Sequence, residues 1–253
     1  SDAMLKVLGR PHDAKTAQLA FEAARKAGFS NISLDLIWGL PGQREASWME
    51  DLKAAVRLRP EHLSCYGLTL EPGTPLAAAA EAGELELPPD GEQGRMYVHG
   101  AEFLEEQGYL QYEISNYARM GFQSRHNSGY WEGRDYLGLG PGAVSTVAGV
   151  RHENPRDVRD WAVQAKVGRC GAGGVALTRE ERIRELVMLS LRTAKGLRLG
   201  LYKRLTGLDF LKENEALLTA LRQKELVRLS AGHLRLTKNG FLVSNLILER
   251  LRF

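Results

Sequence analysis

The segment Ile32-Ser33-Leu34-Asp35-Leu36-Ile37 runs directly into Trp38-Gly39-Leu40-Pro41-Gly42, and together they decide the fold class. Apolar residues that are bounded by glycine and proline predict a strand ending in a loop. Helical patterns on either side predict helices over 13–28 and about 45–58, and a second strand is predicted over 62–69. Helix, strand, helix, strand is the order of βα units, so we predict an α/β fold with a parallel sheet.

The ends of the two predicted strands are candidate binding positions. In parallel sheets, ligands bind at the carboxyl ends of the strands, which makes Asp35, Trp38, Gly39 and Thr69 site candidates. The alternative is structural. In that case the loop 39–42 is only a tight connection, and Asp35 is a buried carboxylate that accepts hydrogen bonds.

The middle of the chain is less regular. A helix is predicted over about 90–107, and alternation over 109–117 predicts a further strand. The glycine-rich segment 168–174 has the composition of a flexible linker and is the best candidate for a domain boundary. We therefore predict three parts, over residues 1–118, 119–174 and 175–253.

The last part has the element order of a winged helix. Thr178-Arg179-Glu180-Glu181 is a capping box that opens a helix, and a second helix is predicted over about 211–223. A hairpin over 226–236 follows, and Thr237 caps a last helix. We predict a winged-helix-like α+β domain used for packing, with DNA binding as the alternative.

Composition limits the class of protein. The 253 residues carry a net charge of +3, which gives no argument for a nucleic-acid partner. No apolar run approaches the ~20 residues that span a bilayer, and no signal peptide is visible, so we predict a cytoplasmic protein. Cys65 and Cys170 are too few for a disulfide framework or a structural zinc site, and we expect two reduced thiols in or near the core.

The strongest functional signal is His126-Asn127-Ser128-Gly129-Tyr130-Trp131, which is followed by the glycine run 138–142. Histidine is a common ligand of transition metals, and tyrosine and tryptophan offer broad apolar faces with polar tips. We predict one wall of a site for an iron-bearing macrocycle, with the glycine run open to a flat ligand. In the structural alternative, His126 and Asn127 staple a loop and the two large rings belong to the core.

Several motifs occur in a defined order along the chain. They are Leu8-Gly9-Arg10-Pro11-His12, residues 34–43, residues 63–74, residues 112–118, His126-Asn127-x-x-Tyr130-Trp131 and Asp135-Tyr136-Leu137-Gly138. Each motif alone is weak. The ordered set covers essentially the whole chain and resembles the radical S-adenosylmethionine haem-chaperone family, whose members are relatives of oxygen-independent coproporphyrinogen III oxidase.

This resemblance implies a partial TIM-type barrel followed by a smaller helical or winged domain. In the family, a Cys-x-x-x-Cys-x-x-Cys loop at the start of the barrel holds a 4Fe–4S cluster, and S-adenosylmethionine binds its open iron. That loop is absent here, so we expect a truncated barrel that begins after the fourth strand, with the cluster in the full-length parent only. We also expect an exposed apolar edge where the missing strands would pair, and hence a fragment that forms homodimers or aggregates.

Residue by residue, the resemblance places Arg10 and Asp35 at S-adenosylmethionine. A guanidinium holds a carboxylate or a ribose oxygen, and a carboxylate at a strand end accepts hydrogen bonds from ribose hydroxyls. Thr69 corresponds to a family position that contacts the adenosine part of S-adenosylmethionine, and the resemblance supports this assignment less strongly than those of Arg10 and Asp35. For Arg10, the alternative is a surface or helix-capping arginine.

The same resemblance makes His126 the ligand of haem iron, with Tyr130 and Trp131 packed on or near the porphyrin. The family commonly has Gly-Ala-His after its glycine run, where this chain has Gly142-Ala143-Val144. The departure puts two-histidine ligation in doubt, and His152 is a substitute without other support.

Three functions follow as alternatives. The first is a chaperone that binds haem and delivers it to an acceptor protein, for which a membrane-associated protein is one option. The second is an oxygen-independent coproporphyrinogen III oxidase, which decarboxylates two propionates through a 5′-deoxyadenosyl radical. The third is a winged helix that binds protein or nucleic acid, and the near-neutral charge disfavours its nucleic-acid form. The His126 motif favours the first. Whether the parent is also an oxidoreductase stays open, and this fragment is expected to be inactive as an enzyme.

Overall fold

The computed structural model describes residues 1–168 and 173–253 and divides into two compact units. Unit 1 consists of Ser1–Ser124 and Leu236–Ser244, and unit 2 consists of Arg125–Arg235 and Asn245–Phe253. The division into 1–118, 119–174 and 175–253 stays a prediction, because compactness within one chain does not test whether each part folds alone.

Unit 1 combines helices with one mixed sheet. Its first elements are α1 (Asp2–Val7), α2 (Ala14–Lys26), β1 (Ser33–Trp38), α3 (Glu45–Arg57), β2 (His62–Gly67), α4 (Pro75–Glu81), α5 (Asp90–Glu106), β3 (Leu110–Gln111) and β4 (Asn116–Ala118). The strands lie in the order β1–β2–β4–β3. The predicted order of helix and strand over 13–69 is confirmed, with element ends that differ by about two residues at most.

The two strands that define the fold class are parallel. Their register runs from Ser33 opposite His62 to Trp38 opposite Gly67, and α3 forms the crossover between them. β4 pairs with β2 in the antiparallel sense, so the sheet is not purely parallel. Within the described ranges β1 pairs with β2 alone, which makes β1 an edge strand.

The core of unit 1 lies between α3, α5 and the sheet. Trp48 is 2% exposed, and its indole N–H donates to the Met96 carbonyl oxygen at 3.0 Å, so the polar atom in this core is satisfied. Gly100 of α5 lies against the same indole, since a Cβ there would be 2.7 Å from Trp48 Nε1. The core residues are Trp48, Leu52, Ala55, Leu63, Cys65, Met96, Ala101, Leu104, Tyr109 and Tyr117.

The single strand predicted over 109–117 is wrong. β3 and β4 form an antiparallel hairpin in which Leu110 lies opposite Ala118. The chain reverses between them, and the Tyr112 N–H donates to the Asn116 carbonyl oxygen at 3.1 Å. The turn contains neither glycine nor proline, so the period-two pattern of the sequence does not distinguish it from a continuing strand.

Unit 2 contains small sheets surrounded by helices. Its elements are α6 (Arg125–Trp131), β5 (Val144–Val147), β6 (Val150–Glu153), α7 (Val158–Lys166), β7 (Val175–Ala176), α8 (Arg179–Leu191), β8 (Leu197–Arg198), α9 (Leu199–Thr206), α10 (Phe210–Glu213), α11 (Glu215–Gln223), β9 (Val227–Ser230) and β10 (His233–Leu236). α12 (Lys238–Leu242) belongs to unit 1, and α13 (Ser244–Arg250) follows it. The strands are ordered β5–β6–β7 and β8–β10–β9.

The capping box predicted at Thr178 is confirmed. Thr178 Oγ1 accepts from the Glu181 N–H at 3.1 Å, and Glu181 Oε2 accepts from the Thr178 N–H at 2.7 Å. These two bonds satisfy amides at the start of α8 that have no partner within the helix. The capping-box motif in the sequence therefore correctly predicts where α8 begins.

The single helix predicted over 211–223 is broken at Asn214 into α10 and α11. Asn214 Nδ2 donates to the Arg252 carbonyl oxygen at 3.0 Å, and Asn214 Oδ1 accepts from the Arg252 N–H at 2.8 Å. These partners lie 38 residues apart in sequence, so local periodicity carries no signal for the break. The helix predicted after Thr237 is likewise divided, into α12 and α13.

Two further expectations concern cysteines and the linker. Cys65 is a free, buried thiol in the core of unit 1, and burial raises its pKa. Cys170 and most of the segment predicted as a linker lie outside the described residues.

In the part of the chain that the structure describes, no helix is long and apolar enough to cross a membrane.

The contact between α3 and α5 is tested by Gly100→Ala. Alanine is favoured over glycine in a helix by about 1 kcal/mol, but its Cβ would meet the fixed Trp48 indole at 2.7 Å. We expect a net loss of about 1–2 kcal/mol in the free energy of unfolding, measured by chemical denaturation. Gly94→Ala in the same helix is the matched control, because the nearest atom to its Cβ, Leu242 Cδ1, lies at 3.7 Å. Equal effects of the two substitutions would contradict this account.

Candidate functional site

One cavity in unit 1 contains two of the predicted site residues. It has a volume of about 570 Å³, and both Arg10 and Asp35 line it. The four consecutive residues 34–37 also line it, although successive side chains of a strand point to opposite faces. The cavity therefore runs along the free edge of β1, and we call it the β1-edge cavity.

Arg10 is positioned by the end of α1. Gly9 has a φ of +63°, a conformation that glycine adopts readily, and it turns the chain after the helix. The Arg10 N–H then donates to the Leu5 carbonyl oxygen at 2.9 Å. Because Arg10 is exposed, its planar guanidinium is available to a carboxylate or hydroxyl in the cavity.

Asp35 lies in the middle of β1, opposite Ser64, and not at the carboxyl end of the strand as expected. It is exposed, so the alternative of a buried structural carboxylate is wrong. Burial lowers the pKa of the neighbouring His62, and the charge of Asp35 opposes that shift. An exposed carboxylate and a guanidinium in one cavity offer both hydrogen-bond acceptors and donors to a ligand.

Thr69 is not among the residues that line the β1-edge cavity. It is exposed and follows the end of β2, where the Leu68 N–H donates to the Trp38 carbonyl oxygen at 2.9 Å. The Trp38 ring lies across Gly67, where a Cβ would be 3.0 Å from the nearest ring atom. The structure thus brings Arg10 and Asp35 together and leaves Thr69 outside their cavity.

The His126 motif forms α6. His126 and Tyr130 lie one helical turn apart, and their ring centroids are separated by 4.7 Å at an interplanar angle of 84°. Tyr130 makes a second edge contact with Tyr136, also at 4.7 Å. His126 is exposed and Tyr130 is 38% exposed, so the alternative in which Tyr130 is a core residue is wrong. We call His126, Tyr130 and Tyr136 the aromatic row.

Trp131 lies on a different face of α6 from His126, because five residues correspond to more than one helical turn. It is half-buried and lines a cleft of about 620 Å³ in unit 2, together with Ile183 and Leu186 of α8. His126 and Tyr130 are not among the residues lining this cleft. The three predicted haem residues therefore occupy two places, the aromatic row and what we call the Trp131 cleft.

In the glycine run, the space beside Gly138 is filled by another part of the chain. A Cβ there would collide with the Val144 carbonyl oxygen of β5. The Gly138 N–H donates to Ser145 Oγ at 2.9 Å, and Asn154 Nδ2 donates to the Gly140 carbonyl oxygen at 2.9 Å. The expectation of a backbone platform for a flat ligand is wrong at Gly138, because a neighbouring strand fills the space.

Comparison with known proteins finds one matching family model and relatives that are similar over nearly the whole chain. The family model of the HemN C-terminal domain matches residues 177–243. The heme chaperone HemW of Bacillus subtilis (strain 168) is 35% identical over 245 residues, which cover 96% of this chain and 65% of that protein. HemW of Lactococcus lactis subsp. lactis (strain IL1403) is 30% identical over 250 residues, which cover 99% of this chain and 66% of that protein.

The chain belongs to the radical S-adenosylmethionine haem-chaperone family related to HemN. It spans 65–66% of the length of the two HemW relatives. The structure of coproporphyrinogen III oxidase (HemN) from Escherichia coli, described as a radical SAM enzyme, matches with a TM-score of 0.76 at 23% identity. That match covers 98% of this chain and 61% of the HemN chain, and it establishes the α/β fold of this family member without extending to its reaction.

The family motif at 112–118 contains a buried carboxyl that the sequence analysis did not single out. Glu113 is 1% exposed, its Oε2 accepts from the Ser115 N–H at 3.3 Å, and its Oε1 has no hydrogen-bond partner among the described residues. Burial raises the pKa of Glu113 to about 7, against hydrogen bonds from Ser115 and Asn116 that lower it. Periodicity gave no signal for it, because the residue lies in the turn between β3 and β4.

Glu113 makes the stability of this family member depend on pH. Since its folded pKa is raised, the folded state binds the proton more tightly than the unfolded state. Its stabilising contribution is fully present below about pH 4.5 and is lost as the pH rises to about 7. The free energy of unfolding should therefore fall by roughly 3 kcal/mol across this window.

The test is chemical denaturation at pH 5, 6, 7 and 8 of the wild type, Glu113→Gln and Glu102→Gln. Glu113→Gln should lose the pH-dependent decrease, whereas Glu102→Gln, an exposed position on α5, should keep it. Parallel pH profiles for all three proteins would rule out an ionisation of Glu113 in this range.

Proposed function

We propose that this chain carries the haem-binding part of a haem chaperone, a protein that binds haem and delivers it to an acceptor protein. The observation that carries the proposal is the exposed imidazole of His126 at the end of the aromatic row. Neutral imidazole is a common ligand of haem iron. The description of the HemW relatives as heme chaperones supports the same function.

The residues of α6 fit haem in two different ways. His126 supplies a nitrogen ligand, and the edge contact with Tyr130 at 4.7 Å restricts the rotation of the imidazole ring. Trp131 supplies an apolar surface in the Trp131 cleft. When bound, haem provides the iron that His126 would ligate. Val144 stands in β5 where the family often has histidine, and His152 lies on β6 opposite Ser145, so no second iron ligand is proposed.

S-adenosylmethionine fits the β1-edge cavity. Its amino-acid carboxylate suits the exposed guanidinium of Arg10, and its ribose hydroxyls suit the exposed carboxylate of Asp35. We propose these two residues as its ligands, with Thr69 as a weaker contact outside the cavity. The cofactor would supply a regulatory signal for haem transfer, and the chain's own residues would bind and orient it.

A 4Fe–4S cluster does not fit the cysteines of this chain. Such a cluster in this family needs three thiolates, and the sequence contains two cysteines, one of which, Cys65, is buried with a raised pKa. We assign no step to a cluster here. We propose that the cluster belongs to the full-length parent only and that this chain does not cleave S-adenosylmethionine.

The finer architecture is also part of the proposal. The parallel β1–β2 pair with α3 as its crossover supports a partial TIM-type barrel within residues 1–118, followed by a middle region over 119–174. The order α8, β8, α9, α11, β9, β10 supports a winged-helix-like domain within residues 175–253. Three further statements remain predictions. They are a cytoplasmic location, pairing of two chains through the β1 edge and the absence of a nucleic-acid partner.

Coproporphyrinogen III oxidase activity of the parent is the alternative. The likeness to the HemN structure supports it only through the fold. Turnover of coproporphyrinogen III by the full-length parent, without any change in the haemin spectrum, would favour that alternative over the chaperone.

His126→Ala tests the proposed iron ligand. We expect wild-type protein mixed with haemin to give a shifted Soret band, and the variant to lose that shift or to weaken haemin binding by roughly tenfold or more. His99→Ala is the control, since His99 is also exposed but lies on α5 in unit 1. A Soret band that is identical in wild type and His126→Ala would exclude His126 as the ligand.

Asp35→Asn tests the proposed cofactor site. Loss of the negative charge that accepts ribose hydroxyls should raise the Kd for S-adenosylmethionine roughly tenfold in isothermal titration calorimetry. Glu50→Gln, an exposed carboxyl on α3, should leave the Kd unchanged. The assignment of Asp35 fails if the Asp35→Asn and wild-type binding isotherms coincide.

A further inference from the structure

The Trp131 cleft has the composition of a site for a large apolar ligand. It encloses about 620 Å³ within unit 2, in the size range of small-molecule pockets. Its apolar walls come from α6, the strand region before α8, α8 itself and the end of α9. They are formed by Trp131, Leu177, Ile183, Leu186, Leu189 and Leu205.

The acidic side chains that line the cleft all have partners within the protein. The charges of Glu185 and Glu132 are balanced by cationic partners, whereas Asp135 accepts a hydrogen bond from a neutral amide and keeps its negative charge. The pairs are Glu185 with Arg151 at 2.5 Å, Glu132 with Arg134 at 2.6 Å and Lys195 at 3.0 Å, and Asp135 with the Ala148 N–H at 2.8 Å.

The arginines of the cleft are different. Arg179 Nη2 donates to the Leu205 carbonyl oxygen at 2.5 Å, a neutral partner that leaves its charge in place. Arg182 lies one turn further along α8, beside Gly149, and its guanidinium has no ion pair or hydrogen bond within residues 1–168 and 173–253. Within the described residues, two arginines without an acidic partner stand against one carboxylate without a cationic partner, Asp135, so the rim of the cleft keeps a net positive charge next to its apolar interior.

We propose that the Trp131 cleft binds the porphyrin macrocycle, with the tetrapyrrole ring against Trp131 and the leucine side chains and with a propionate on Arg182. This rests on the proposed function and names the place where the macrocycle is held. Protoporphyrin IX, the macrocycle of haem, combines a flat apolar ring with two carboxylates on one edge, which matches apolar walls bordered by an arginine without an ion pair in the described residues. Guanidinium groups bind carboxylates through paired hydrogen bonds.

The position of Trp131 on α6 separates this contact from iron ligation. His126 and Tyr130 share one face of α6, whereas Trp131 on another face lines the cleft. Macrocycle binding in the cleft consequently does not need the imidazole, and a porphyrin without iron is a ligand for it. The aromatic row and the Trp131 cleft make separate demands on the ligand, one for iron and one for ring and carboxylate.

The first experiment uses metal-free protoporphyrin IX and its dimethyl ester, titrated into the full chain and followed by porphyrin fluorescence. Arg182→Gln should weaken binding of protoporphyrin IX by roughly fivefold to tenfold, and it should leave the Kd of the ester unchanged, because the ester has no carboxylate. Arg184→Gln is the matched control on the same helix, where the guanidinium lies over the Phe253 ring. It should alter neither Kd.

A second variant tests the apolar part of the cleft. Leu205 lines the cleft but is 45% exposed, so Leu205→Trp fills space without disturbing a buried side chain. This variant should weaken binding of both the acid and the ester by roughly tenfold, while its far-ultraviolet circular dichroism matches the wild type. The proposal is overturned if protoporphyrin IX binds equally well to wild type, Arg182→Gln and Leu205→Trp, or if Arg182→Gln weakens the acid and the ester alike.

His126→Ala separates failure of this inference from failure of the proposed function. The variant should bind metal-free protoporphyrin IX with the wild-type Kd and lose the Soret shift with haemin. If the Soret shift is lost in His126→Ala but Arg182→Gln and Leu205→Trp do not weaken porphyrin binding, His126 stands as the iron ligand and the Trp131 cleft is excluded as the porphyrin site. Conversely, porphyrin binding that depends on Arg182 and Leu205, with an unchanged Soret band in His126→Ala, keeps the cleft and overturns the proposed ligand.

Discussion

The parallel pairing of β1 with β2 is the constraint on which the rest of unit 1 depends. The register fixes Asp35 opposite Ser64, and the unpaired side of β1 opens the cavity that Asp35 shares with Arg10. The pair is held from one side by α3 and α5, whose close contact requires the missing side chain at Gly100 against Trp48. The geometry of the candidate cofactor site is thus set by a packing contact in the core and by a backbone ladder, not by the site residues themselves.

In unit 2, the helical repeat of α6 sets the positions of the candidate haem-binding residues. A four-residue separation brings His126 and Tyr130 onto one face, and the next residue, Trp131, turns toward α8. A loop with the same sequence would leave the three side chains free to converge on one ligand face. The helix instead divides them, so one short motif contributes to two surfaces with different chemistry.

The sequence predicts the periodic elements of this fold well and its turns poorly. The helices and strands over residues 13–69 and the capping box at Thr178 follow from local pattern, because each is determined by neighbours in the chain. The hairpin around Glu113 and the break at Asn214 depend on partners elsewhere, and Arg252 in particular lies 38 residues from Asn214. The resemblance also placed Arg10 and Asp35 in one site, and the structure brings both to one cavity. Arg182 had no such signal, since the sequence of α8 does not show which of its arginines lies beside a cleft with a guanidinium that has no ion pair in the described structure.

The division of haem contacts between the aromatic row and the Trp131 cleft has a consequence for transfer. A carrier that binds its cargo through one strong contact must break that contact in a single step, and the barrier then grows with affinity. With the proposed arrangement, loss of the iron contact at His126 and loss of the ring and propionate contacts at Trp131 and Arg182 are separate steps. Each step then costs only part of the total free energy of haem binding. Substitutions in a binding site usually change the affinity through the dissociation rate, so their effect is expected on release. Weakening the cleft should therefore speed release of the macrocycle, whereas weakening the row should speed loss of the iron contact, because each surface holds a different part of the ligand.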